Sequence, residues 1–86
     1  MTAVEVDARG LRCPLPVIRL AAAARGAVPG TVITVLATDP AARHDVPAWC
    51  RMRRHELRDV TDEVAGDGST HQRFTVVLGD PAPVSP

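Results

Sequence analysis

The sequence predicts an α/β (α+β) two-layer sandwich: a βαβαββ chain with a four-stranded mixed sheet in the order 1-2-4-3 and both helices on one face. Two observations carry that expectation. A proline-marked helix start at Pro14 and Pro16 separates a short alternating strand from a β-branched apolar run, the pattern of a βαβ unit with parallel strands and right-handed crossover. The last two strand-like stretches then differ in polarity. Residues 56–64 are charged, with Leu57 and Val60 their few apolar positions, whereas 72–78 contains Phe74-Thr75-Val76-Val77-Leu78. A charged strand suits an edge and an apolar one the interior, so the fourth strand should insert antiparallel between the second and third.

Taken in order, residues 3–7 form the first strand, with Val4 and Val6 on one face. The run Asp7-Ala8-Arg9-Gly10-Leu11 turns the chain. Helix one extends from about Pro14 to Arg25, because Pro14 lacks an N–H that the first helical position would not use, and Pro16 is still inside the first turn. Val17, Leu20, Ala21 and Ala24 recur at helical spacing as an apolar stripe, and Gly26 ends the helix before the Pro29-Gly30 turn. Residues 31–37 read as a central strand. Asp39-Pro40 breaks it, 40–44 form a loose turn, and Asp45 caps a second helix over about 46–54 with Pro47 in its first turn. That helix ends at Arg53-Arg54, where a Gly would be the easiest terminator. Residues 65–69 form a loop, and 79–86, with three prolines, are expected to be a disordered tail beyond a single domain over 1–78.

Composition excludes several function classes. The 86 residues allow one modest core. Aromatics are 2%, Trp49 and Phe74, so that core must be aliphatic. Formal net charge is zero and every basic residue is Arg, which argues against coating DNA or a membrane by bulk electrostatics. Two cysteines without a secretion signal suggest a reduced, cytoplasmic chain, and no apolar run approaches membrane-spanning length.

The chemistry converges on Cys13. It falls where a strand has ended and a helix is about to begin, at the positive end of the helix dipole. A thiolate is the reactive form of cysteine, and both a helix N-terminus and cationic neighbours favour it. Arg12 is adjacent and Arg9 is close in the chain; Asp7 would act in the opposite sense. Two readings stay open on these grounds alone, a reactive thiol and a small residue ahead of a proline-marked helix.

The motifs taken together resemble the TusA/SirA sulfur carriers. The matching residues are Asp7-Ala-Arg-Gly10-Leu11-Arg12-Cys13-Pro14-Leu15-Pro16, then Pro29-Gly30, Asp39-Pro40-Ala41, Asp45-Val46-Pro47-Ala48-Trp49-Cys50 and His55-Glu56-Leu57, in order across residues 4–78. The resemblance implies the same two-layer sandwich and a protein that carries sulfur as a persulfide on Cys13, supported by Arg12, Pro14 and Pro16. It implies a cysteine desulfurase or rhodanese-like donor and a downstream acceptor protein serving tRNA thiolation, molybdenum cofactor assembly or other sulfur metabolism. No cofactor is implied beyond the transient covalent persulfide, and no metal. Such a carrier is a sulfurtransferase-type relay component more than a stand-alone enzyme. Leu15 stands where the tRNA-modifying members have an acidic residue, which suggests an apolar docking surface and argues against tRNA thiolation as the client.

Other candidates are blander. Cys50 shares a stripe with Val46 and Trp49 and reads as core, the alternative being a resolving thiol for Cys13. His44, Cys50 and His55 are six and five residues apart, a spacing that does not share a helix face for a metal. Leu15, Arg9, Arg51 and Arg54 are the candidate docking residues, with Arg51, Arg53 and Arg54 otherwise a solvated helix face. Asp39 and Asp45 read as turn and cap. Two further function classes remain beside the carrier: a non-catalytic regulatory or interaction module on the same fold, and a small thiol oxidoreductase using Cys13 and Cys50.

Overall fold

Six elements follow one another in a computed structural model that describes residues 3–79: β1 (Ala3–Ala8), α1 (Leu15–Arg25), β2 (Val32–Ala37), α2 (Ala42–Arg53), β3 (Glu56–Val64) and β4 (Thr70–Val77). The sheet order is β1-β2-β4-β3, with β1 and β2 parallel and β4 antiparallel to both neighbours. The polarity contrast between the last two strands therefore does place β4 inside and β3 at the edge. The expected proline-rich tail falls, after Gly79, outside the described residues.

Register explains which side chains build the core. Val6, Val35 and Phe74 stand side by side across three strands, as do Val4, Ile33 and Val76. These positions face the helices, and Ile33, Val35, Phe74 and Val76 are fully buried there with Leu20 of α1 and Val46 and Cys50 of α2, Trp49 of α2 being nearly so. Phe74 is the largest fully buried side chain, and its burial contributes about 2–3 kcal/mol. Leu57 and Val60 are three residues apart, which breaks strand alternation, yet both face the helices. A bulge between Leu57 and Asp59 makes Arg58 the extra residue, so Leu57 pairs with Val76 and Val60 with Phe74. The opposite face of the sheet carries a polar cluster, with Arg73 Nε donating to Glu63 at 2.9 Å and His71 Nε2 3.1 Å from the same carboxylate.

Several boundaries differ from expectation, each for a local reason. β1 runs one residue further, because Ala8 pairs with Ala37 and is fully buried. α1 starts at Leu15, with Pro14 as the cap and a cis peptide bond between Cys13 and Pro14. Pro16 is more than tolerated: it is fully buried and adds to the helix stripe. α2 begins at Ala42, four residues early, so Asp45 lies inside its first turn and does not cap it. Asp39 explains the early start, since its carboxylate accepts the Ala41 N–H at 2.9 Å and its carbonyl the Ala42 N–H at 3.0 Å. Pro47 consequently lies inside the helix, where it leaves the Arg43 carbonyl without its intrahelical donor. α2 ends on Arg54, which takes the left-handed conformation at φ 62° that Gly adopts more easily.

Candidate functional site

The parallel strands β1 and β2 end side by side, and the β1–α1 connection folds over that end of the sheet. Gly10 makes the turn possible, since its φ of 80° lies in the left-handed region. Its N–H donates to Thr38 Oγ1 at 2.8 Å, which ties the loop to the residue just beyond β2. Leu11 N–H returns to the Ala8 carbonyl at 3.2 Å, and Leu15 N–H to the Arg12 carbonyl at 2.9 Å. Cys13 is thus held on a tight loop immediately before the first turn of α1, and it is partly exposed.

Two carboxylates hold Cys13 from the other chain segment. Asp39 Oδ2 accepts the Cys13 backbone N–H at 2.8 Å, while its Oδ1 accepts from Ala41. The Cys13 thiol donates a hydrogen bond to Asp45 Oδ2 in the first turn of α2. These contacts set the electrostatics. The hydrogen bond to Asp45, then desolvation, then the charges of Asp45 and Asp39 push the Cys13 thiol up to about 11. The expected lowering of that thiol is therefore overturned. A helix N-terminus is a weak influence beside a carboxylate in direct hydrogen-bond contact.

The cations expected to assist act elsewhere. Arg9 donates through Nε and a terminal nitrogen to Asp7, both at 2.8 Å, so this exposed pair closes on itself and holds the Asp7 carboxyl down at about 2. Neither residue is aimed at the sulfur. Arg12 is exposed, and its charge helps to keep the Asp39 carboxyl below its ordinary range, after the N–H donors of Cys13 and Ala41. Arg12 thus supports the site through Asp39.

Two apolar side chains are exposed on the first turns of α1, which follow Cys13 in the chain. Leu15 is 43% exposed and Ile18, one turn further along α1, is 54% exposed. Arg51 and Arg54 are also exposed but sit near the other end of α2. Six residues separate Asp45 from Arg51, about 9 Å of helix rise, so these arginines do not share the Cys13 site. A groove at that far end is lined by Arg25, Trp49, Arg53 and His55. There the Trp49 and His55 rings lie 4.9 Å apart, and His55 Nδ1 accepts the Gly79 N–H at 3.0 Å.

Cys50 is a free, fully buried thiol in the core, and burial pushes its pKa up to about 11. Among the described residues no three His, Cys, Asp or Glu side chains are grouped as a metal site, and no helix is long and apolar enough to cross a membrane. The residues that sequence reasoning undervalued are Asp39 and Asp45. The signal available was their position: both follow the end of a parallel strand, where ligands and reacting groups gather in α/β sheets.

Comparison with known proteins gives concordant matches. The family model described as Sulfurtransferase TusA matches residues 4–76. The sulfur carrier protein TusA of Pseudomonas paraeruginosa (strain DSM 24068 / PA7) is 43% identical over 58 residues, 67% of this chain and 73% of that protein. The protein of the same name from Pseudomonas fluorescens (strain SBW25) is also 43% identical over 58 residues, 67% of this chain and 70% of its own. Among solved structures, a SirA-like protein from Desulfitobacterium hafniense superposes with a TM-score of 0.67 at 27% identity, covering 90% of this chain and 99% of that one.

Proposed function

Because the chain belongs to the TusA family, we propose that it is a sulfur carrier that bears a persulfide on Cys13. The observation that carries this reading is the placement of Cys13: a partly exposed thiol on a loop whose backbone is tied to Thr38 and Asp39. Transfer between persulfides requires a sulfur that a second protein can reach and a backbone that does not wander.

In this reading the donor is a cysteine desulfurase or a rhodanese-like protein. The Cys13 sulfur attacks the outer sulfur of the donor's persulfide, a new sulfur–sulfur bond forms, and the donor's own bond breaks to leave its thiol. The reverse exchange, with an acceptor's thiol attacking the loaded Cys13, hands the sulfur on. Pro14 and Pro16 set the start of α1 beneath the loop, and exposed Leu15 and Ile18 supply the apolar surface on which a partner docks. Among the family's clients, Leu15 favours molybdenum cofactor assembly or other sulfur metabolism over tRNA thiolation. The persulfide is a transient covalent state, and the chain acts in the cytoplasm.

Labelling tests the reading. Incubation with a cysteine desulfurase and sulfur-35 cysteine should leave label on the protein that a thiol reductant releases and that a downstream acceptor removes. A folded protein that takes no label from desulfurase or rhodanese-type donors would instead fit a regulatory or interaction module. One observation favours that second reading, namely that the Cys13 thiol is engaged in a hydrogen bond to the Asp45 carboxylate.

A further inference from the structure

The Cys13 sulfur faces carboxylates. Its thiol donates to Asp45 from α2, and Asp39, from the β2–α2 connection, grips the backbone N–H of the same residue. The arginines on adjoining segments are engaged elsewhere: Arg9 pairs with Asp7, and Arg43 pairs with Asp62. Arg12, on the Cys13 loop, acts on Asp39. The free protein thus presents a neutral thiol hydrogen-bonded to an anion, bordered by exposed Leu15 and Ile18. Among the described residues no cationic side chain pairs with Asp45, whose charge is met only by the N-terminal turn of α2.

We infer that Asp45 is a specificity-determining residue for sulfur transfer, which keeps Cys13 as an unreactive thiol until a protein donor sets a cationic side chain against the Asp45 carboxylate. The inference rests on the carrier reading above and names the donor's chemistry: an Arg or Lys close to the donor's persulfide cysteine, on an otherwise apolar contact surface. A small anionic persulfide brings no such cation and is itself repelled by the two carboxylates.

The step balances without a co-reactant. The donor's cation pairs with Asp45, the Cys13 thiol gives its proton to water, and the thiolate attacks the outer sulfur of the donor persulfide. The Cys13 Sγ–sulfur bond forms as the donor's sulfur–sulfur bond breaks. The electron pair stays on the donor's inner sulfur, which takes a proton from solvent. One such bond replaces another, so nothing is oxidised or reduced overall.

Three probes applied to Asp45→Asn and Asp45→Ser test it: iodoacetamide, glutathione persulfide and a cysteine desulfurase with cysteine. Removing the charge should raise the rates with iodoacetamide and glutathione persulfide about tenfold or more near neutral pH, since a thiol released from its anion ionises more readily and loses only part of that gain in nucleophilicity. Loading by the desulfurase should not rise by that factor, because the cationic partner loses its target. An iodoacetamide rate within about twofold of the wild type, or an equal rise with all three probes, overturns the inference. If neither variant folds, the wild type still decides: a thiolate absorbance titration of folded Cys13 with a midpoint at the ordinary thiol value contradicts it. Failure of every donor to load the wild type defeats the carrier reading and the specificity claim together, while the iodoacetamide comparison still reports whether Asp45 restrains the thiol.

Discussion

The Cys13 thiol donates a hydrogen bond to the Asp45 carboxylate, although 32 residues separate the two in the chain. The contact joins the loop before α1 to the first turn of α2 and makes the sulfur of a carrier-family motif a neutral group at rest.

The pH dependence follows from that contact. The fold favours the protonated thiol, so the Cys13 thiolate forms only as pH approaches about 11, above the ordinary 9.0. Iodoacetamide alkylation of Cys13 should therefore rise through alkaline pH with a midpoint near 11, and near the ordinary value once urea unfolds the chain. Stability moves the opposite way from reactivity: the contribution is fully present below about 9 and is lost as pH climbs towards about 11. A folded-state midpoint at or below 9 contradicts the observed geometry.

Cys50→Ala should cost stability and leave sulfur loading unchanged. The side chain is fully buried beside Val46 and Trp49, and its truncation leaves a small cavity worth about 1–2 kcal/mol. Urea unfolding measures the first effect and sulfur loading the second. Loss of loading in a folded Cys50→Ala protein would instead support a thiol pair.

The turn after α2 gives opposite outcomes for two substitutions. Arg54→Gly relieves a left-handed residue and should stabilise the protein by about 0.5–1 kcal/mol. Gly79→Ala should destabilise it by at least as much, because a Cβ at Gly79 would sit 2.2 Å from the Arg54 carbonyl oxygen, a backbone atom. Denaturation midpoints of the two variants on either side of the wild type are the expected result.

Leu15→Glu should slow loading from a protein donor several-fold and leave loading by a small persulfide within about twofold, if the exposed Leu15 side chain is part of the proposed docking surface. Equal slowing with both donors would place Leu15 in the chemistry and not in docking.

Much of the fold was legible because strand polarity is a local property with a global meaning. Charged 56–64 had to be an edge and apolar Phe74 to Leu78 the interior, and β3 begins and ends where the sequence indicates. Cys50 was legible as core from its stripe with Val46 and Trp49. The start of α2 was not, because Asp39 reaches forward with its side chain to organise Ala41 and Ala42, which moves Asp45 from cap to first turn. The charge state of Cys13 was not legible either. Nearness in sequence pointed to Arg9, but Asp7 two residues away captures it, and the group that governs the thiol arrives from another helix.

The central claim, that Cys13 bears the sulfur, is tested most directly by intact-mass spectrometry with peptide mapping after incubation with a cysteine desulfurase and free cysteine, on the wild type, Cys13→Ser and Cys50→Ala. The account predicts a reducible gain of one sulfur atom on the peptide containing Cys13, retained in Cys50→Ala and absent from a folded Cys13→Ser protein. The same gain in Cys13→Ser, mapped to any other residue, would contradict it.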